Sequence, residues 1–538
     1  MFELVIRNGT VLDGTEKPAV RADVAIDRQT IQFVGQRNTI LAAREINASG
    51  LIVAPGFIDM HSHSDLTLFL QPDAQSKIRQ GVTTEVVGNC GVSCAPVKAQ
   101  YREALLRQFE ANNFAMTVSE KAVWKWPSQM NYMCELVEKG ISSNLISLVG
   151  GVPLRVASAG MKEHLEPQEL DVIKSLLQEE LCQGAWGMSS GLYYIPGSHF
   201  THTELVILCK VIKEHGAMWA VHMRDEGQGL FDAVDEVISI ANESGVSLQI
   251  SHLKLEGKTN WGRAEELLAM LHDARANGVH VSWDQYPYTA YCSGLIDVIP
   301  PSLRSNDLDS FLKDLGSKKV RESLKEYMLH GVGSWHSPLE EVEWKGMMIA
   351  EVKHDKELVG KTLKEIAKEN RTDPLEAILD LLRSQEACVK VVVHAMSEND
   401  VEVIMKDPAT MISSDGKAVS PWGRYAEMHP HPRYYGAFPR VLGQYVRENK
   451  ALDLPEAVRK MTSLPASKLG LRNRGVLKPG NAADIVIFNR ERISDKATFD
   501  NPHQFACGIE YVIVNGKVVI EEGKHTGTYP GRLLAHDD

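Results

Sequence analysis

The sequence predicts an α/β fold: a (β/α)8 TIM-like barrel, a small β-sandwich built from both termini, and an inserted lid subdomain. Three observations predict it. In the middle of the chain, short apolar runs alternate with helical stretches, the mark of βα units. Both ends are instead rich in short alternating strands separated by Asn-Gly and Asp-Gly. Several of the central apolar runs end on a histidine, a cysteine or an aspartate, and side chains at many strand ends meet only when parallel strands close into a barrel.

The ends come first. Phe2-Glu3-Leu4-Val5-Ile6, Asp23-Val24-Ala25-Ile26 and Ile31-Gln32-Phe33-Val34-Gly35 read as strands, with turns expected at Asn8-Gly9 and Asp13-Gly14. Ala483-Asp484-Ile485-Val486-Ile487-Phe488 and Ile509-Glu510-Tyr511-Val512-Ile513-Val514 repeat the style, and Asn515-Gly516 is a hairpin turn into Lys517-Val518-Val519-Ile520. Residues 1–54 and 476–538 are therefore assigned to one sandwich, and 55–475 to the barrel.

Within the barrel, candidate strands end near Met60, Gly88, Val149, Met188, Met223, Ser251, Asp284, Val393 and Ser414. That is one strand too many, and the run ending at Val393 is expected to belong elsewhere. His222 and His252 are thirty residues apart, with an amphipathic stretch from Leu230 to Ser244 between them. One barrel unit takes about that length. More than one hundred residues separate Asp284 from the last strand. They include charged helical stretches at Leu308–Met328 and Leu363–Gln385. This is too long for a plain connection, so an insertion at about 295–385 is expected to cover the barrel mouth.

Composition narrows the function. The 538 residues are 43% apolar and 24% charged, ordinary for a globular chain. A formal net charge of −12 without blocks of like charge argues against nucleic acid or an anionic membrane as a partner. No apolar run approaches the roughly 18 residues that span a bilayer. The N-terminus lacks the pattern of a signal peptide, and eight cysteines are too sparse for a disulfide framework. A cytoplasmic location and a small-molecule substrate are expected; oligomeric state is left open.

The candidate metal residues are His61, His63, Cys90, His222, His252 and Asp415. His61-Ser62-His63 places two imidazoles on one face of an extended chain. HxH alone is a weak signal, but here it follows the buried-type run Leu51 to Met60. Cys90 sits in Gly88-Asn89-Cys90-Gly91, where glycines on both sides suggest a cramped site; a thiolate is a good zinc ligand. Its plainer reading is a small buried hydrophobe, and Cys94 is a competitor. His222 and His252 each close an apolar strand. Either alone could be an ordinary core histidine, but two of them one barrel unit apart favour a metal. Asp415, in Ser413-Ser414-Asp415-Gly416, could be a turn residue. Beside a metal-activated water it would be the proton shuttle.

At these residues the chain resembles the amidohydrolase superfamily, and within it the D-aminoacylase (N-acyl-D-amino-acid deacylase) group. The segments that carry the resemblance include Gly56-Phe57-Ile58-Asp59-Met60-His61-Ser62-His63, Gly88-Asn89-Cys90-Gly91 and Ser190-Gly191-Leu192-Tyr193-Tyr194. Further on they are His222-Met223-Arg224-Asp225-Glu226, Ser251-His252-Leu253-Lys254, Asp284-Gln285-Tyr286-Pro287-Tyr288, Ser414-Asp415-Gly416 and His429-Pro430-His431-Pro432-Arg433. The resemblance implies zinc held tightly by Cys90, His222 and His252, with a second, weaker metal position at His61, His63 and Asp415. Many superfamily relatives bridge two metals with a carboxylated lysine. The strand Asn144-Leu145-Ile146-Ser147-Leu148-Val149 has none, and Cys90 would take that place. Arg433 is expected to bind the substrate carboxylate, because a guanidinium pairs bidentately with it. Lys254 and Tyr286 are helpers by similarity, and Tyr194 is a candidate donor to the oxyanion. The expected reaction is zinc-dependent hydrolysis of N-acyl-D-amino acids; preference for the D form rests on the resemblance alone. The alternatives are a cyclic-amide hydrolase of the hydantoinase or dihydroorotase type and a non-catalytic amidohydrolase-like scaffold.

Overall fold

Short runs of β-branched and other apolar residues, buried on both faces, make eight parallel strands. In the computed structural model, which describes residues 1–36, 41–112, 121, 123–304, 307–333 and 335–536, the first strands are Phe57–Asp59, Val82–Val87 and Asn144–Ser147 continued by Val149–Gly150. Gly187–Gly191, Met218–His222, Ser247–Ile250, Val281–Gln285 and Thr410–Ile412 follow. Each pairs in parallel with the next. The third strand breaks at Leu148: its first half pairs with the second strand and its second half with the fourth. The barrel closes just beyond the strand ends. The Asp415 amide donates to the His61 carbonyl at 2.9 Å, and the His63 amide to the Gly416 carbonyl at 2.9 Å. The seam between the last and first strands therefore runs through three of the candidate metal residues. It is pinned underneath by Asp59, which accepts from the Ser414 amide at 2.9 Å and from Lys77 Nζ at 2.7 Å.

Helices wrap the barrel through apolar stripes. In Leu230–Ser244, the residues Leu230, Ala233, Val234, Val237, Ile240 and Ala241 are buried, at spacings of three and four. The helix ends on Gly245, whose φ of 72° gives the left-handed turn that a side chain would strain.

The run ending at Val393 lies outside the barrel. Val389–His394 is the middle strand of a three-stranded antiparallel sheet with Ala290–Gly294 and Met348–Val352. This sheet and its helices lie in sequence between the seventh and eighth barrel strands and share an apolar core of their own. The two charged stretches expected there are each broken. Leu308–Asp314 and Lys318–His330 are separate helices, as are Leu363–Asn370 and Pro374–Ser384. The second break has a local cause: Arg371 turns left-handed at φ 53°, and Pro374 then starts a new helix that Asp373 caps.

Both ends of the chain contribute to a separate nine-stranded sheet, joined where Ile52–Pro55 runs antiparallel to Ile485–Phe488. The sheet branches at Phe2–Val11, whose early residues pair with Ala42–Asn47 and late residues with Ile52–Pro55. It encloses a core that includes Leu4, Ile6, Val24, Val53, Ile485 and Ile513. The turn expected at Asn8-Gly9 is a bulge within one long strand. Asn8 has φ 59°, and this left-handed chemistry bends a strand as readily as it reverses one. Asn515-Gly516 does form the hairpin turn, with φ 48° and 76°. Residues 37–40 of the N-terminal stretch lie outside the described residues. Among the described residues, no helix is long and apolar enough to cross a membrane.

Candidate metal centre and active site

The strand ends aim their side chains inward at a conformational cost. Cys90, His252 and Asp415, each just beyond a strand, have φ of 52°, 38° and 45°. Non-glycine residues rarely adopt such angles, and they cluster where surrounding structure enforces a function. The glycines beside Cys90 are forced by space as well. A Cβ on Gly88 would lie 2.1 Å from the Leu148 carbonyl oxygen, and one on Gly91 would lie 2.6 Å from the Gly191 nitrogen.

Two triads of donor atoms result, and they share one sulfur. His61, His63 and Cys90 form one and Cys90, His222 and His252 the other, with the donor atoms of each triad within 4.8 Å of one another. Cys90 Sγ is 3.2 Å from His61 Nε2 and 3.3 Å from His252 Nε2, and the Nε2 atoms of His61 and His63 are 3.3 Å apart. A tetrahedral zinc with bonds of about 2.3 Å to sulfur and about 2.0 Å to nitrogen sets sulfur and nitrogen roughly 3.5 Å apart, so this spacing suits such an ion. The donors are also in the required form. Burial, helped by the neighbouring histidines, pushes the His61 pKa well down and brings that of His222 to about 3, so their lone pairs are available. Buried Nδ1 atoms of both His61 and His222 have no hydrogen-bond partner among the described residues. Burial, with Asp415 and Glu226 adding to it, pushes the Cys90 thiol up, so without a cation the sulfur keeps its proton. Thiolate and imidazole around one buried point fit zinc.

Asp415 stands on the His61–His63 side, with Oδ1 3.2 Å from His63 Nε2 and 3.6 Å from His61 Nε2. Burial favours its neutral form, but Arg433 and the hydrogen bond from His63 outweigh it and hold the carboxyl well below the usual range. Arg433 Nη1 is 3.0 Å from Asp415 Oδ2, yet neither Nη1 nor Nε is aligned for a hydrogen bond. The guanidinium lies 4.6 Å over the ring of Tyr286, whose buried hydroxyl has no hydrogen-bond partner among the described residues. Tyr286 and Lys254 both line a second, smaller pocket. Lys254 also lines the main cavity, as do Tyr194 and Arg433. The ring of Tyr194 meets His222 edge-on at 4.9 Å.

Sequence reasoning missed the groups that hold these residues. Glu226 accepts from Lys254 Nζ at 2.6 Å and lies 3.1 Å from His252 Nδ1 and 3.5 Å from His222 Nε2. Asp284 accepts from the His252 amide at 3.0 Å and from Ser413 Oγ at 2.7 Å, and its carboxylate is 3.8 Å from His61 Nδ1. Such carboxylates fix the tautomer and orientation of a ligating imidazole. The available signal was position. Glu226 is one helical turn's spacing past His222, and Asp284 is a charge inside a buried strand.

The site can be set beside known proteins. Residues 44–126 and 189–520 match the amidohydrolase family. D-aminoacylase of Alcaligenes xylosoxydans xylosoxydans is 32% identical over 535 residues, 99% of this chain and 98% of that protein. The chain belongs to the amidohydrolase family, in its D-aminoacylase branch. This amidohydrolase is also similar to the N-acyl-D-glutamate deacylase of the same organism, 34% identical over 541 residues, 100% of this chain and 97% of the relative. The crystal structure of N-acyl-D-glutamate deacylase from Bordetella bronchiseptica, complexed with zinc and a phosphonate mimic of the tetrahedral intermediate, superposes with a TM-score of 0.83 at 32% identity, covering 99% of both chains.

Proposed function

We propose that this amidohydrolase cleaves the amide bond of N-acyl-D-amino acids, releasing a carboxylate and a free D-amino acid. One observation carries the reading: a buried thiol and four imidazoles converge at the barrel mouth, next to an aspartate that faces an arginine. The names of its relatives, a D-aminoacylase and an N-acyl-D-glutamate deacylase, agree with it.

Cys90, His222 and His252 would hold the principal zinc, with a weaker position at His61, His63 and Asp415. When bound, the ion supplies Lewis acidity, bringing a water's pKa to about 7 and polarising the amide carbonyl. Asp415 is the general base. It enters the cycle ionised, takes the proton of the water that adds to the carbonyl carbon, and returns it to the amide nitrogen as the C–N bond breaks. Arg433 binds the α-carboxylate through N–H groups not aligned on Asp415, while the face of Tyr286 holds the guanidinium plane. Tyr194, beside His222, is the donor placed to meet the oxyanion. Lys254 keeps Glu226 charged and so keeps His252 oriented. A reducing, cytoplasmic setting is part of the same reading, on the ground that eight cysteines in 538 residues are too sparse for a disulfide framework.

The test is hydrolysis of N-acetyl-D-methionine against N-acetyl-L-methionine by zinc-loaded protein. Faster turnover of the D form is expected; faster turnover of the L form contradicts the reading.

A further inference from the structure

The cavity that holds Asp415 and Arg433 reaches the inserted sheet, and one lysine there stands out. Val389, Val391 and Val393 enter the insertion's apolar core, whereas Val392 packs with Ala290, Ala350 and Cys292 on the opposite face. Lys390 shares the face of Val392 by the two-residue period of a strand, and it lines the cavity. It is only 8% exposed. Across from it, one neighbouring strand offers Gly294, which has no side chain, and the other offers Glu351. Glu351 acts electrostatically on both Lys390 and Lys417, another cation of the same wall, so one carboxylate is shared between two ammonium groups. Asp297, the remaining acid nearby, is committed to Arg304 at 3.1 Å and Ser293 at 2.7 Å. Among the described residues, the Lys390 ammonium has no hydrogen bond or ion pair. Burial pulls its pKa below that of an ordinary lysine. A buried ammonium compensated only through the field of Asp297 and a shared Glu351, with no direct contact, is costly to keep, and an anion that contacts it lowers that cost.

We propose that Lys390 receives a second carboxylate of the substrate, so that N-acyl amino acids with an acidic side chain are preferred. The inference rests on the amide-hydrolysis reading and adds the charge of the side-chain pocket. Arg433 and Lys390 then take one carboxylate each. Both cations line the same cavity, as does Cys292, which neighbours Lys390's partner Gly294 on the adjoining strand. Arg433 takes the carboxylate beside the scissile nitrogen, and Lys390 the one on the side chain.

The experiment compares kcat/KM for N-acetyl-D-glutamate and N-acetyl-D-glutamine, which match in size and differ in charge, and likewise for the aspartate and asparagine pair. Wild-type enzyme should favour the acid of at least one pair by about thirtyfold, the scale of a buried charge pair. In Lys390→Met that preference should fall to near one, and in Lys390→Arg it should persist. A wild-type ratio at or below one for both pairs overturns the proposal, whether or not the variants fold. A preference that survives Lys390→Met also overturns it. Failure of the wild type to cleave any N-acyl-D-amino acid would instead strike the hydrolysis reading itself.

Discussion

Replacing Glu226 with glutamine probes how the metal residues are held. The carboxylate is 6% exposed and lies within 3.1 Å of His252 Nδ1 and 2.6 Å of Lys254 Nζ. Burial opposes its charge, but Lys254 and the two histidines overcome this and keep its pKa well below the ordinary value. Glutamine keeps the shape and one acceptor but removes the charge. Two effects follow. Loss of an outer partner of a ligating imidazole lowers metal affinity about 10- to 100-fold, which is about 1.4 to 2.7 kcal/mol. Lys254 also loses its counter-charge while buried, at a cost of about 3 kcal/mol to folding. Zinc affinity is measured by competition with a chromophoric chelator, and stability by denaturant unfolding of metal-free protein. The reasoning is refuted if Glu226→Gln binds zinc as tightly as wild type and unfolds at the same denaturant concentration.

Other consequences are separable. Asp415→Asn should lower kcat by about 10²- to 10⁴-fold, the range of general acid–base catalysis, while zinc at the Cys90 triad is retained on metal analysis. Loading zinc into metal-free protein at pH 7 should release about one proton per ion, because burial keeps the Cys90 thiol protonated until a cation displaces the proton; a pH-stat reads it. Arg433→Lys should raise KM for N-acyl amino acids about tenfold through loss of the planar fork, read from steady-state kinetics. Glu180, 2% exposed, accepts from the amides of Gln129 at 2.7 Å and Met130 at 3.3 Å, yet burial raises its pKa to about 7. For an acid whose folded pKa is raised, the folded state holds the proton more tightly than the unfolded state. Stability therefore falls as pH rises from about 4.5 to about 7, by at most about 3 kcal/mol. Urea unfolding at pH 5 and pH 8 should show that slope in wild type and its loss in Glu180→Gln.

The barrel and the convergence of the candidate metal residues were legible because each of them ends a buried-type run, and closure of parallel strands then leaves little freedom. Cys90 was favoured over Cys94 from its glycines alone, and those glycines prove to be places where a Cβ would strike backbone. What stayed hidden depends on distance across the fold. Glu226 and Asp284 sit in quoted segments, but nothing local distinguishes a carboxylate that orients a histidine from one on a surface. Lys390 reads in sequence as the polar position of an alternating strand, and only the inserted sheet turns it into the cavity. Asn8-Gly9 and Arg371 carry left-handed backbone that suits a turn, a bulge or a helix break equally, and long-range pairing decides among them.

One ion held by the shared sulfur underlies all of the proposed chemistry. Metal analysis of protein purified without chelator, wild type beside Cys90→Ala, tests it directly. The expected result is about one zinc or more per wild-type chain, with the variant losing both the tight zinc and its hydrolytic activity. A metal-free wild type that still hydrolyses its substrates, or a Cys90→Ala variant that keeps full zinc and full rate, would contradict it.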